Sequence, residues 1–203
     1  KNKIEFVDFF IETKIDYTET NSIFCNGFQS WTETRMYAKD EKLKVQRRGI
    51  KAIGEAYGDG TFYPYKNKKG VVHSWTYTYI KLPKRKIHFL GSLNDANGYT
   101  IFEHNAPENK LSIQKDCKGL VTDQSLILLD FYSCEQFEFI CFQSYFQLQN
   151  LKQINAKPAI GWTSWYYYYT NISEKIIQDN LDAFTNNNVP IEIFQIDDGW
   201  QKS

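Results

Sequence analysis

With 203 residues, 42% of them apolar and 17% aromatic, the chain is long enough for one large domain or two small ones and apolar enough to bury a core. Lysine plus arginine number 24 and aspartate plus glutamate number 24, so no overall field draws it to nucleic acid, an anionic membrane surface or a strongly charged substrate. No apolar run approaches the roughly 20 residues that span a bilayer, and the ligand expected of such a chain is neutral.

From Ile4 to about Leu148, short apolar or alternating runs are separated by Gly, Asn, Asp and Pro, the pattern of antiparallel sheet. Trp75, Tyr77 and Tyr79 alternate with Ser74, Thr76 and Thr78, which predicts one strand with its rings on a single face. Asp59-Gly60, Lys69-Gly70 and Asn97-Gly98 are turn dipeptides that supply positive φ between such runs. Phe137, Phe139 and Cys141 keep one parity and Phe142, Phe146 and Leu148 the other, which predicts a bulged strand or one buried on both faces. Residues 1–151 are therefore expected to form a two-layered antiparallel sandwich, followed by a linker over 152–158.

Beyond the linker the pattern changes. Ala159 to Trp165 reads as a strand, and Ser173 to about Asn187 as a helix with Ile177, Leu181 and Phe184 on one face. Asn171 or Ser173 caps that helix, and Glu174 stands near the positive end of its dipole. Ile191 to Ile196 is a nearly continuous apolar strand of the type buried in a parallel sheet. Strand, helix and strand make one βαβ unit. Two parallel strands and one helix cannot bury their own faces, so residues 159–203 read as the opening of a larger α/β domain.

Aromatic faces pack against the apolar faces of sugar rings, although a sandwich core rich in rings accounts for the same composition. Cys25, Cys117, Cys134 and Cys141 show no metal-binding spacing, and nothing at the start of the sequence resembles a secretory signal peptide, so reduced thiols and a cytoplasmic location are expected. His73, His88 and His104 are scattered through the sheet region, each a satisfied or exposed histidine rather than a ligand. Asp197 and Asp198 end an apolar strand, and the carboxyl ends of parallel strands are where α/β enzymes place their sites. Neighbours on one strand start from opposite faces and cannot readily sit above and below a glycosidic bond. The pair is therefore assigned to binding hydroxyls as charge-assisted acceptors, with Trp165 and Tyr166 on the same rim.

Three segments, Asn26-Gly27-Phe28-Gln29-Ser30-Trp31, Gly161-Trp162-Thr163-Ser164-Trp165-Tyr166-Tyr167-Tyr168-Tyr169 followed by a helix, and Phe194-Gln195-Ile196-Asp197-Asp198-Gly199-Trp200-Gln201, resemble in order and spacing the α-galactosidases of glycoside hydrolase family 36. The resemblance implies a mainly β fold, an antiparallel β-supersandwich followed by the first βαβ unit of a (β/α)8 barrel. It implies that Asp197 and Asp198 bind the O4 and O6 hydroxyls of a terminal galactose, that Trp165 and Tyr166 line the same pocket, and that the sandwich contributes Trp31 to it. The family's nucleophile and acid/base follow barrel strands 4 and 6, so no catalytic carboxylate is expected in this chain. No cofactor is implied, the partners are small-molecule galactosides, and the full-length protein is expected to be a homo-oligomer. A non-catalytic carbohydrate-binding or assembly module is the rival from another class; a transglycosylase or an α-N-acetylgalactosaminidase would share the scaffold.

Overall fold

The computed structural model describes residues 3–29, 32–43, 63–151 and 157–201. The chain divides into two compact units, Lys1–Lys152 and Gln153–Ser203. The first holds strands β1 (Ile4–Glu5), β2 (Phe9–Lys14), β3 (Ser22–Cys25), β4 (Arg35–Ala38), β5 (Val71–Trp75), β6 (Tyr77–Lys81), β7 (Lys86–Ser92), β8 (Thr100–Asn105), β9 (Lys110–Lys115), β10 (Val121–Thr122) and β11 (Phe131–Phe137), then helix α1 (Glu138–Leu148). The second holds β12 (Gly161–Thr163), the short helix α2 (Trp165–Tyr168), α3 (Glu174–Asn186) and β13 (Ile193–Gln195).

The expected antiparallel sandwich is present, and the fold is mainly β. Sheet I runs β11-β7-β6-β3-β4 and sheet II runs β2-β9-β8-β5, every pairing antiparallel. Between them lies one apolar cluster, with Ile23, Tyr37, Ile80 and Leu90 from sheet I and Val72, Phe102, Leu111 and Ile113 from sheet II. His104 of β8 is buried in this layer. Its Nδ1 lies 2.8 Å from the Tyr17 hydroxyl and its Nε2 lies 2.7 Å from the hydroxyl of Thr78, which donates to the Phe24 carbonyl at 2.7 Å. Nε2–H therefore donates, Nδ1 accepts, and burial holds the neutral ring by pushing its pKa down to about 3. His104 is a satisfied core histidine. The turns at Lys69-Gly70 and Asn97-Gly98 are found, with positive φ at Gly70 and Gly98; Asp59-Gly60 lies outside the described residues.

Two expectations are corrected. The segment Trp75 to Tyr79 is not one strand. It is the junction of two, and Thr76 stands between them at φ +63°. Its N–H donates to Thr100 of sheet II at 2.9 Å and its carbonyl accepts from Ser92 of sheet I at 2.7 Å, so this residue stitches the sheets together. A β-branched residue at positive φ costs on the order of 1–3 kcal/mol, which those two bonds offset. Trp75 consequently faces Phe28 and Tyr99, whereas Tyr77 and Tyr79 stack on Phe24.

The second correction concerns residues 138–148, which are helical rather than a bulged strand. The change of parity is helical spacing: Cys141, Phe142 and Tyr145 recur at three to four residues and face the outer side of sheet I. Phe89 meets Phe142 at 4.9 Å and Tyr145 at 5.1 Å, and the Tyr145 hydroxyl donates to the Ser92 carbonyl at 2.7 Å. The aromatic outer face of sheet I selects the helix that covers it.

Candidate functional site

The second unit holds Asp197, Asp198, Trp165 and Tyr166, four of the five residues read as binding sugar. β12 and β13 pair in parallel, with Gly161 opposite Ile193, Trp162 opposite Phe194 and Thr163 opposite Gln195. α3 is the helix expected from Ile177, Leu181 and Phe184, and its cap is Ser173, whose hydroxyl accepts from the Ile176 N–H at 3.3 Å. It packs through Phe184, whose ring lies 6.2 Å from Trp162 and 6.4 Å from Phe194, themselves stacked at 4.4 Å. The strands are shorter than their apolar runs, because each ends where its residues turn to make the site.

β13 stops at Gln195, so Asp197 and Asp198 lie on the turn beyond it rather than in the strand. The Thr163 hydroxyl donates to Asp197 Oδ2 at 3.4 Å and the Gln195 amide at 3.1 Å, while Oδ1 accepts the N–H of Asp198 at 2.8 Å. The backbone N–H of Asp197 donates to the buried hydroxyl of Ser164 at 3.0 Å, and the Ser164 N–H donates to the Gln195 carbonyl at 3.2 Å. Asp197 is thus half-buried and clamps the ends of the two strands. Asp198 is exposed, and its carboxylate has no hydrogen-bond partner among the described residues. The two acids, equal in the sequence, are unequal in the fold.

Gly199 makes the turn possible in two ways. Its φ is +106°, and a Cβ there would stand 2.4 Å from the carbonyl oxygen of Thr170. Trp165 is not the end of a strand but the first residue of α2, half-buried with its ring 5.4 Å from that of Tyr169. Tyr166 is 84% exposed, and the Tyr168 hydroxyl accepts from the Asn180 amide of α3 at 2.9 Å, which ties α2 to α3. Thr163, Ser164 and Gln195 had no role in the sequence reading, although the hydroxyl pair Thr163-Ser164 at the end of an apolar run was the available signal. Trp200, 70% exposed beside a hollow of about 410 Å³ against α3, was also left without a role. Trp31 lies outside the described residues.

Among the described residues no three His, Cys, Asp or Glu side chains gather where they could hold a metal ion, and no helix is long and apolar enough to cross a membrane.

An antiparallel sandwich followed by a parallel β–α–β unit, with polar residues at the strand ends, resembles the amino-terminal part of an α-galactosidase, and the chain has an α-galactosidase-like fold. TtGalA, an α-galactosidase from Thermus thermophilus, has been solved with p-nitrophenyl α-D-galactopyranoside; it superposes on 99% of this chain and 36% of its own at a TM-score of 0.62 and 21% identity. The same enzyme in complex with stachyose gives a TM-score of 0.61 at 21% identity, over 99% of this chain and 38% of its own. The chain therefore spans little more than a third of the length of these structures. No family model and no curated protein sequence matches it.

Proposed function

We propose that this chain is the amino-terminal part of a retaining exo-α-galactosidase, in which Asp198 receives the hydroxyls of a terminal galactosyl residue. The observation that carries the reading is the carboxylate of Asp198, unpartnered among the described residues, on a glycine turn at the carboxyl end of a parallel strand pair. Such a group is a charge-assisted acceptor held out for a donor, and sugar hydroxyls are donors. Asp197 orients it by accepting its N–H. Trp165 and the exposed Tyr166, one turn beyond the other strand, offer aromatic faces at the same ends. The likeness in fold to a galactosidase solved with two α-galactosides supports the choice of sugar.

The chain's own residues bind and orient. Glycosidic cleavage needs two carboxylates roughly 5–9.5 Å apart flanking the bond, whereas Asp197 and Asp198 share one turn and one of them is engaged within the protein. Attack and protonation are assigned to groups outside this chain, and the 203-residue chain is expected to turn over no aryl α-galactoside. In the complete protein, Asp198→Ala is expected to weaken galactose binding by about one to two powers of ten, the worth of a charge-assisted bond, with an unchanged thermal midpoint. Turnover by the purified chain, or an Asp198→Ala protein that binds galactose as before, overturns the reading.

A further inference from the structure

The outer face of sheet II carries a second arrangement that the galactoside reading leaves unused. The cross-strand registers place Phe10, Gln114, Ile101 and Trp75 in one row, Glu12, Ser112, Glu103 and His73 in the next, and Lys110 beside Asn105 in a third. The β5 side of this face is sealed. His73 and Trp75 are 5% and 3% exposed, and Tyr63 and Tyr65 lie over His73 at 4.7 and 5.3 Å. The β2 side is a groove of about 280 Å³, close to the lower limit of small-ligand pockets, roughly 300 Å³.

Its polar groups are fixed before any ligand arrives. The Gln114 amide donates to the Tyr63 hydroxyl at 2.7 Å, and that hydroxyl donates to Glu103 Oε2 at 2.8 Å. Lys66 pairs with the same oxygen at 3.5 Å, and Lys110 pairs with Glu12. Two carboxylates and two ammonium groups cancel, and each lysine is engaged, so neither an anion nor a cation finds a free counter-charge. One acceptor remains within a ligand's reach. Glu103 Oε1 makes no hydrogen bond among the described residues, on a side chain only 15% exposed. Asn105 Oδ1 also has no partner among the described residues, but it is fully buried and so closed to a ligand. A solvated ladder of ion pairs would leave no sheltered acceptor unmade, since each costs desolvation without return. At the far end of the groove the Phe10 ring is 58% exposed on an outer strand.

We propose that this groove is a binding site for a neutral saccharide of one or two sugar units, whose hydroxyls donate to Glu103 while its apolar ring face lies on Phe10. The site goes beyond the reading of Asp198 and shares no residue with it. Net neutrality, a free acceptor and an exposed ring together describe a polyhydroxylated, uncharged molecule with an apolar face.

The test is a titration of the isotope-labelled 203-residue chain with maltose, cellobiose and melibiose in turn, followed by amide chemical shifts. At least one disaccharide is expected to shift the amides of Glu103, Asn105 and Ser112. Phe10→Ala and Glu103→Gln are each expected to weaken that binding roughly tenfold or more; the first residue is exposed and the second substitution keeps an acceptor for Tyr63, so folding is retained and checked by the thermal midpoint. Asp198→Ala is expected to leave these shifts unchanged. Absence of shifts with every disaccharide, binding that survives both groove substitutions, or shifts confined to the Asp198 turn overturns the proposal. The last of these outcomes would leave the Asp198 reading standing, whereas loss of galactose binding elsewhere with groove shifts intact would remove that reading and keep this one.

Discussion

The two units have similar proportions of apolar residues and use them to different ends. In the sandwich, one cluster fills the space between the sheets and a second lies between sheet I and α1, with Phe89 and Phe102 fully buried. In the βαβ unit the one described residue that is buried is polar, Ser164, while Leu181, Val189, Ile193 and Ile196 are 43%, 44%, 53% and 48% exposed. The difference follows from topology. Antiparallel strands joined by short turns close a two-layer structure from local pieces, but a parallel pair is designed to be covered on both faces and continued on both edges. Apolar content alone does not tell which of these a segment will achieve.

The widest gap should appear in hydrogen exchange on the intact chain. Amides of β6, β7, β8 and β9 are expected to open only with the whole sandwich, whereas those of β12, β13 and α3 open locally, with protection lower by at least about two powers of ten. Equal protection in the two units would break the comparison. Single truncations sharpen it. Phe102→Ala removes a ring with no solvent exposure and should cost about 3–5 kcal/mol by chemical unfolding. Leu181→Ala, already 43% exposed, should cost less than about 1 kcal/mol.

Acid should separate the units as well, because the sandwich contains buried neutral histidines and the βαβ unit has none. Burial lowers His73 to about 4 and His104 to about 3, against an ordinary 6.5 in the unfolded chain. Between those values the unfolded state holds more protons, so stability is full above pH 6.5 and falls as pH drops towards the folded values. Two such groups should remove about 2 kcal/mol between pH 6.5 and 5.5. His88, also lowered by burial although opposed by Glu135, acts in the same direction. Urea midpoints of the sandwich that stay flat over this interval would show that the rings are charged or exposed.

Where the sequence was legible, it was because one physical cue outweighed the rest. Gly70 and Gly98 mark turns that need positive φ, and Ser173 with Ile177 and Phe184 gives α3 both its cap and its face. α1 was hidden because its apolar residues fall on both parities and nearly all round a helix, so only the aromatic surface of sheet I decides. The break at Thr76 was hidden because no glycine announces it; hydrogen bonds to strands β7 and β8, far along the chain, hold it. At the site, the two carboxylates were visible as acids ending an apolar strand. Their division of labour was not, since it depends on Thr163 and Ser164, 34 and 33 residues away from Asp197.

That division gives the smallest effect and the most local one. Asp197 accepts two side-chain bonds on Oδ2 and a backbone N–H on Oδ1, so Asp197→Ala leaves three donors to find water at the junction of β12 and β13. The junction is half-exposed, and water replaces part of what is lost; the expected cost is about 1–2 kcal/mol in the opening of this unit. Asp198 gives its N–H to Asp197 but its carboxylate touches nothing described, so Asp198→Ala keeps that backbone bond and should change the same opening energy by less than about 0.5 kcal/mol. Asp197→Asn, which retains an acceptor for Thr163 or Gln195, should fall between the two. The measurement is exchange at the amides of Ser164, Gln195 and Asp197 in each variant, since melting of the sandwich would not register so local a change. A larger effect from Asp198→Ala than from Asp197→Ala would mean that the exposed carboxylate holds the turn together, and the acceptor offered to a ligand would then have to be sought in its neighbour.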